Sequence, residues 1–71
     1  MQQNYITIFV NGEPFHCNKL MSMKDLLLYL GFNLDLIIIE YNKEILHADL
    51  YTNCWLKSND AIEVITIVGG G

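Results

Sequence analysis

Two strand-like runs joined by Asn11-Gly12 constrain this chain more than any other feature. Tyr5-Ile6-Thr7-Ile8-Phe9-Val10 is β-branched and aromatic, so it reads as a strand with Ile6, Ile8 and Val10 on one face. Asn-Gly is the preferred pair for a two-residue type I′ turn, which needs positive φ at both central positions. Glu13-Pro14-Phe15-His16-Cys17 therefore returns beside the first run. Pro14 removes a backbone donor, which places this second strand at a sheet edge or puts Pro14 near its start. A chain of 71 residues then has room for one small domain, and its hairpin must be covered by whatever follows.

A helix follows. Ser22 is a cap residue with Asp25 three positions on, an acidic variant of the capping box that also suits the positive end of the helix. Met23, Leu26, Leu27 and Leu30 fall at i, i+3, i+4 and i+7, a single buried stripe, and Gly31 ends the helix in the left-handed conformation. Leu36-Ile37-Ile38-Ile39-Glu40-Tyr41 is nearly all apolar and reads as a central strand. Asn42-Lys43 turns the chain into a short strand, Glu44-Ile45-Leu46. Between His47 and Leu56 there is no clear period; Asp49 is expected to cap one helical turn carrying Leu50 and Trp55, with Trp55 plugging the core. Ser58-Asn59-Asp60 is a turn, and the last strand runs from Ala61 to Val68. This order, ββαββ, a short turn and β, is that of the α+β class with a mixed sheet and one main helix, the β-grasp or ubiquitin-like fold. In it the last strand lies inside the sheet beside the first. Ile8, Val10, Leu26, Leu27, Leu30, Ile62 and Val64 are the expected core.

The last strand stops at Gly69-Gly70-Gly71. We expect residues 1–68 to form the β-grasp domain and 69–71 a flexible tail. Glycine has no Cβ, so such a tail is thin, and three extended residues reach roughly 10 Å beyond the body. A carboxylate on Gly71 at that distance can enter a narrow site in another protein. Alternation along the strand puts Ile62 and Val64 on one face, with Thr66 and Val68, and Glu63, Ile65 and Ile67 on the other. Glu63 should face water, which exposes Ile65 and Ile67 beside the tail. If Ile37 and Ile39 point inward, Ile38 joins them as an apolar docking surface for a partner.

Composition narrows the function. The net charge is -4 with no arginine and four lysines, so nucleic-acid binding is not expected, whereas a basic partner surface is favoured. The 52% apolar fraction fills a small core and leaves apolar surface over. Met1-Gln2-Gln3-Asn4 lacks the features of a secretory signal, and no apolar run is long enough to span a bilayer. Cys17 and Cys54 are then expected to be reduced thiols in a cytosol-like compartment. The prominence of Asn, Ile and Lys suits an AT-rich genome such as an organelle's, and the expected location is the cytoplasm, or the plastid stroma if the chain is organelle-encoded. His16-Cys17 and His47/Cys54 match no zinc spacing, no glycine-rich loop joins a strand to a helix, and no metal or cofactor is expected.

Over essentially its whole length the chain resembles the ThiS family, sulfur carriers of thiazole synthesis in the thiamine pathway. The matching pieces are Ile8-Phe9-Val10-Asn11-Gly12-Glu13, Lys24-Asp25-Leu26-Leu27, Ile39 to Ile45, Trp55, and Asp60-Ala61-Ile62-Glu63-Val64 leading to Ile67-Val68-Gly69-Gly70-Gly71. The terminal Gly-Gly is the specific element. The family usually has an Arg where His47-Ala48-Asp49-Leu50 stands here, and Gly-Asp where this chain has Asn59-Asp60. Asparagine tolerates positive φ, so the second change is mild.

The resemblance implies a carrier rather than an enzyme, a monomer when free. A ThiF-like adenylating enzyme would use ATP to activate the Gly71 carboxylate, a sulfur donor would leave a thiocarboxylate there, and the thiazole synthase ThiG would take the sulfur. All catalytic groups would belong to those partners. Three other readings share the fold. A MoaD-like carrier would serve molybdopterin synthesis, a ubiquitin-like modifier would conjugate to lysines, and an interaction domain would leave the tail idle.

Overall fold

The computed structural model describes residues 4–67. Its strands are β1 (Tyr5–Val10), β2 (Glu13–Asn18), β3 (Ile37–Tyr41), β4 (Glu44–Leu46) and β5 (Ala61–Thr66), with one helix, α1 (Met23–Tyr29), after β2. They form a five-stranded sheet in the order β2-β1-β5-β3-β4. β5 is central, parallel to β1 and antiparallel to β3, as expected of a β-grasp sheet. β2, which carries Pro14, is an edge strand, so the missing donor costs less there.

Local chemistry accounts for the turns. Asn11 and Gly12 have φ of 52° and 83°, and Asn42 and Lys43 have 49° and 72°, so both hairpins turn through paired positive-φ residues. At α1, Ser22 Oγ accepts from Asp25 N–H at 3.1 Å while Asp25 Oδ2 accepts from Ser22 N–H at 3.2 Å, a complete capping box. The helix closes with a Schellman motif. Phe32 N–H reaches Leu27 O at 3.0 Å, Gly31 N–H reaches Leu28 O at 3.1 Å, and Gly31 takes φ of 84°.

The core lies between α1 and one face of the sheet. Ile8, Met23, Leu26, Leu27, Ile39 and Ile62 are fully buried, and Val10, Leu30 and Val64 pack against them half-buried. Thr66 is exposed near the end of that face, and Val68 lies outside the described residues.

Two expectations fail between β4 and β5. Trp55 is not a core plug: it is 56% exposed, while Tyr51 and Leu56 are buried. This stretch pairs with the residues before α1. Met23 N–H donates to Cys54 O at 2.7 Å and Leu56 N–H to Met21 O at 3.1 Å, with Trp55 bridged to Ser22. Side chains alternate across an extended pairing, so Leu56 turning inward sends Trp55 outward. Nor does Asp49 cap a turn. The 3₁₀ segment Ala48–Asn53 starts after His47, which gives no side-chain cap, and Asp49 sits inside its first turn.

Candidate functional site

The open face of the sheet, opposite α1, carries the expected isoleucines. Ile37 and Ile39 are buried, and Ile38 between them is 38% exposed; on β5, Ile65 is 47% exposed. Ile38 and Ile65 are direct cross-strand partners. Ile67, 44% exposed, follows two residues after Ile65, and its N–H donates to Leu36 O at 2.7 Å. The segment from Leu50 to Trp55 does not cover them, because its 3₁₀ turns pack against α1 on the other side of the sheet. The structure thus brings Ile38, Ile65 and Ile67 together. Gly69, Gly70 and Gly71 lie outside the described residues.

Beside this patch Glu40 stands directly across from Glu63, and Ile45 across from Glu40 on β4. Like charges directly opposite on a sheet repel, so this pair lowers stability unless a cation approaches it.

β5 is anchored at its start by Asp60, to which the sequence assigned no anchoring role. Asp60 is buried, and its carboxylate accepts from Tyr41 Oη at 2.6 Å, from Asn42 Nδ2 at 3.1 Å and from Lys57 N–H at 2.7 Å. Asn59, before it, has φ of 69°, so asparagine serves where a glycine is usual. Burial raises the Tyr41 hydroxyl well above its ordinary value, and the hydrogen bond to Asp60 adds to this. Nothing in the sequence marks a buried carboxylate except its place after Lys57-Ser58-Asn59, because its side-chain partners come from β3 and its turn.

The thiols are not arranged for chemistry. Burial pushes both Cys17 and Cys54 up, with Asp60 adding a smaller push, so both stay protonated near neutral pH. Both are free. His16 is exposed and shares a 3.0 Å hydrogen bond with Thr7 Oγ1, whereas Cys17 is buried on the opposite face of β2, so the two do not converge. Among the described residues no group of three His, Cys, Asp or Glu side chains could hold a metal ion. No helix there is long and apolar enough to cross a membrane.

Five strands in this mixed order with one main helix packed on one face define a β-grasp domain. A model of the ThiS family matches residues 8–71. The chain is 45% identical over 71 residues to the uncharacterized protein ycf40 of Pyropia yezoensis, covering 100% of both. It is 34% identical over 64 residues to a thiazole synthase of Magnetococcus marinus, covering 90% of this chain and 20% of that protein. Its fold is similar to the crystal structure of the thiamine biosynthesis protein ThiS from Geobacter metallireducens, with a TM-score of 0.80 and 26% identity, over 93% of this chain and 100% of that one. The chain therefore belongs to the ThiS family. This is a family of small sulfur-carrier proteins of thiamine biosynthesis, not of catalysts.

Proposed function

We propose that this protein carries sulfur on Gly71 for thiazole formation. A carboxylate is a poor electrophile until it gains a good leaving group. A ThiF-like enzyme supplies one by joining the Gly71 carboxylate to AMP from ATP, with release of pyrophosphate. A donor persulfide then displaces AMP to give an acyl disulfide, and a second thiol attacks the donor's sulfur, forming a new disulfide with it and releasing the thiocarboxylate on Gly71. Thiazole synthase takes the sulfur from there. Glycine is the least hindered acyl residue for these successive attacks, and the catalytic groups belong to the partners.

The observation that carries this reading is the family match running through Gly71, joined to a central β5 that leads directly to the glycine run. The likeness to a segment of a thiazole synthase favours the thiamine pathway over a molybdopterin carrier or a protein modifier. Ile38, Ile65 and Ile67 form the docking surface. Glu40 and Glu63 beside them favour a partner that offers an apolar patch with a basic side chain at its edge. The ycf40 relatives, together with the Asn, Ile and Lys content, favour the plastid stroma as its location.

Mass spectrometry of the protein isolated from its host tests the reading. A chain heavier by the difference between sulfur and oxygen, located at Gly71, is the expected result. Lysine-linked adducts would make it a modifier, and a tail never found modified when thiazole synthesis is active would refute the carrier.

A further inference from the structure

The β1–β5 ladder continues past the end of β1 through one side chain. The parallel pairing aligns Phe9 with Ala61 and Val10 with Ile62. Asn11 N–H then donates to Ile62 O at 2.8 Å. In a parallel ladder the carbonyl of the same residue would next accept from Val64 N–H. At φ of 52° the turn has swung the chain away, and Val64 N–H instead meets Asn11 Oδ1 at 2.8 Å. The side-chain amide stands in for the backbone carbonyl. Asn42 does the same on the other flank, at the start of β5: its N–H donates to Ala61 O and its Oδ1 accepts from Ala61 N–H, both at 2.8 Å.

The two latches differ in what they hold. Asn42 secures the end of β5 remote from the glycine run. Asn11 secures Val64, beyond the last residue that β1 itself pairs. On the β3 flank the pairing runs on through Ile37 with Thr66 and Leu36 O with Ile67 N–H. Without Asn11, the stretch from Val64 to Ile67 would lose its hold on the β1 flank and hinge on β3.

We propose that Asn11 is a positioning residue for the carrier tail, fixing through Val64 the line along which the chain leaves the sheet toward Gly71. This rests on the carrier reading. The residue type fits the task, because asparagine both tolerates the positive φ of the turn and carries an amide oxygen of the right reach. Glycine keeps the first property and loses the second; aspartate keeps the first and offers a carboxylate oxygen at the same reach.

The test uses the full-length chain, a ThiF-type adenylating enzyme and ATP, with pyrophosphate exchange as the readout and amide hydrogen exchange measured at Val64. Asn11→Gly is expected to fold, to lose protection at Val64, and to lower kcat about tenfold with KM little changed, because the docking isoleucines are untouched while the tail is misaimed. Asn11→Asp should behave as the natural protein. Asn42→Gly should melt lower yet keep kcat. Equal kcat for Asn11→Gly and the natural chain overturns the proposal, as does an equal loss in Asn42→Gly, which would make the effect one of stability alone. A loss seen only in KM would also overturn it, since that is a docking defect. If the unaltered chain is never adenylated, the carrier reading itself fails and takes this proposal with it; if it is adenylated, the three variants judge Asn11 alone.

Discussion

Asp60 and Trp55 show how little a residue's type says about its burial in so small a domain. The carboxylate is inside and the indole is outside. The cost of burying Asp60 is offset by three donors, two of which, Tyr41 and Asn42, tie β3 and its turn to the start of β5. Tyr41, Cys17 and Cys54 all titrate above their ordinary values, with burial as the largest cause in each. Below those ordinary values the three groups are neutral in both the folded and unfolded states. Above them, the unfolded chain loses protons that the folded one retains, so stability falls as pH rises. The melting temperature should therefore decline from about pH 9 upward, and Tyr41→Phe should decline less steeply above about pH 10. A series of melts across that range checks this; a flat profile would contradict it. Trp55→Ala should cost under about 1 kcal/mol, whereas Leu56→Ala should cost about 2–5 kcal/mol, because only leucine leaves a cavity. Denaturant titration of the two variants separates them.

At the scale of elements, α1 has only seven residues, too few to be stable alone. Its capping box and Schellman motif satisfy both ends, but its hold comes from Met23, Leu26 and Leu27 packed on the sheet. Leu27→Ala should cost about 2–5 kcal/mol, much of what a domain of this size has. Urea unfolding followed by circular dichroism measures it, and a midpoint close to the natural protein's would mean the helix stripe is not the main source of cohesion. The pattern of α1 was readable because its apolar spacing, its cap and its stop signal all agree. The Ala48–Asn53 segment was not, because a 3₁₀ turn followed by one short bridge follows neither a 3.6 nor a sustained two-residue period.

For the whole molecule, the sheet order divides the tasks between its two faces. One face is covered by α1 and the 3₁₀ segment; the other keeps Ile38, Ile65 and Ile67 in water beside the end of β5. Ile65→Asp should leave the melting temperature close to that of the natural protein, because Ile65 is outside the core. Binding to both the adenylating enzyme and the thiazole synthase should weaken by about tenfold or more, as expected when a charge enters an apolar contact. Paired binding assays with a melt decide it. Unfolding would return Ile65 to the core, and unchanged affinity for both partners would move the docking surface elsewhere.

The sequence by itself determined the two hairpin turns, the capped helix, the strand order along the chain and the alternation that exposes Ile65. Each of these depends on residues close together in the chain: Asn11-Gly12, Ser22 with Asp25, Ile62 through Ile67. Only the tertiary structure decided which side chains meet at long range. The facing of Ile38 and Ile65, the opposed Glu40 and Glu63, the burial of Asp60 under Tyr41, and the grip of Asn11 on Val64 all depend on register between strands distant in sequence. A period-two pattern tells which face a residue takes; which residue stands opposite depends on how far each strand slides against its neighbour, and here the turns and their asparagines set that slide.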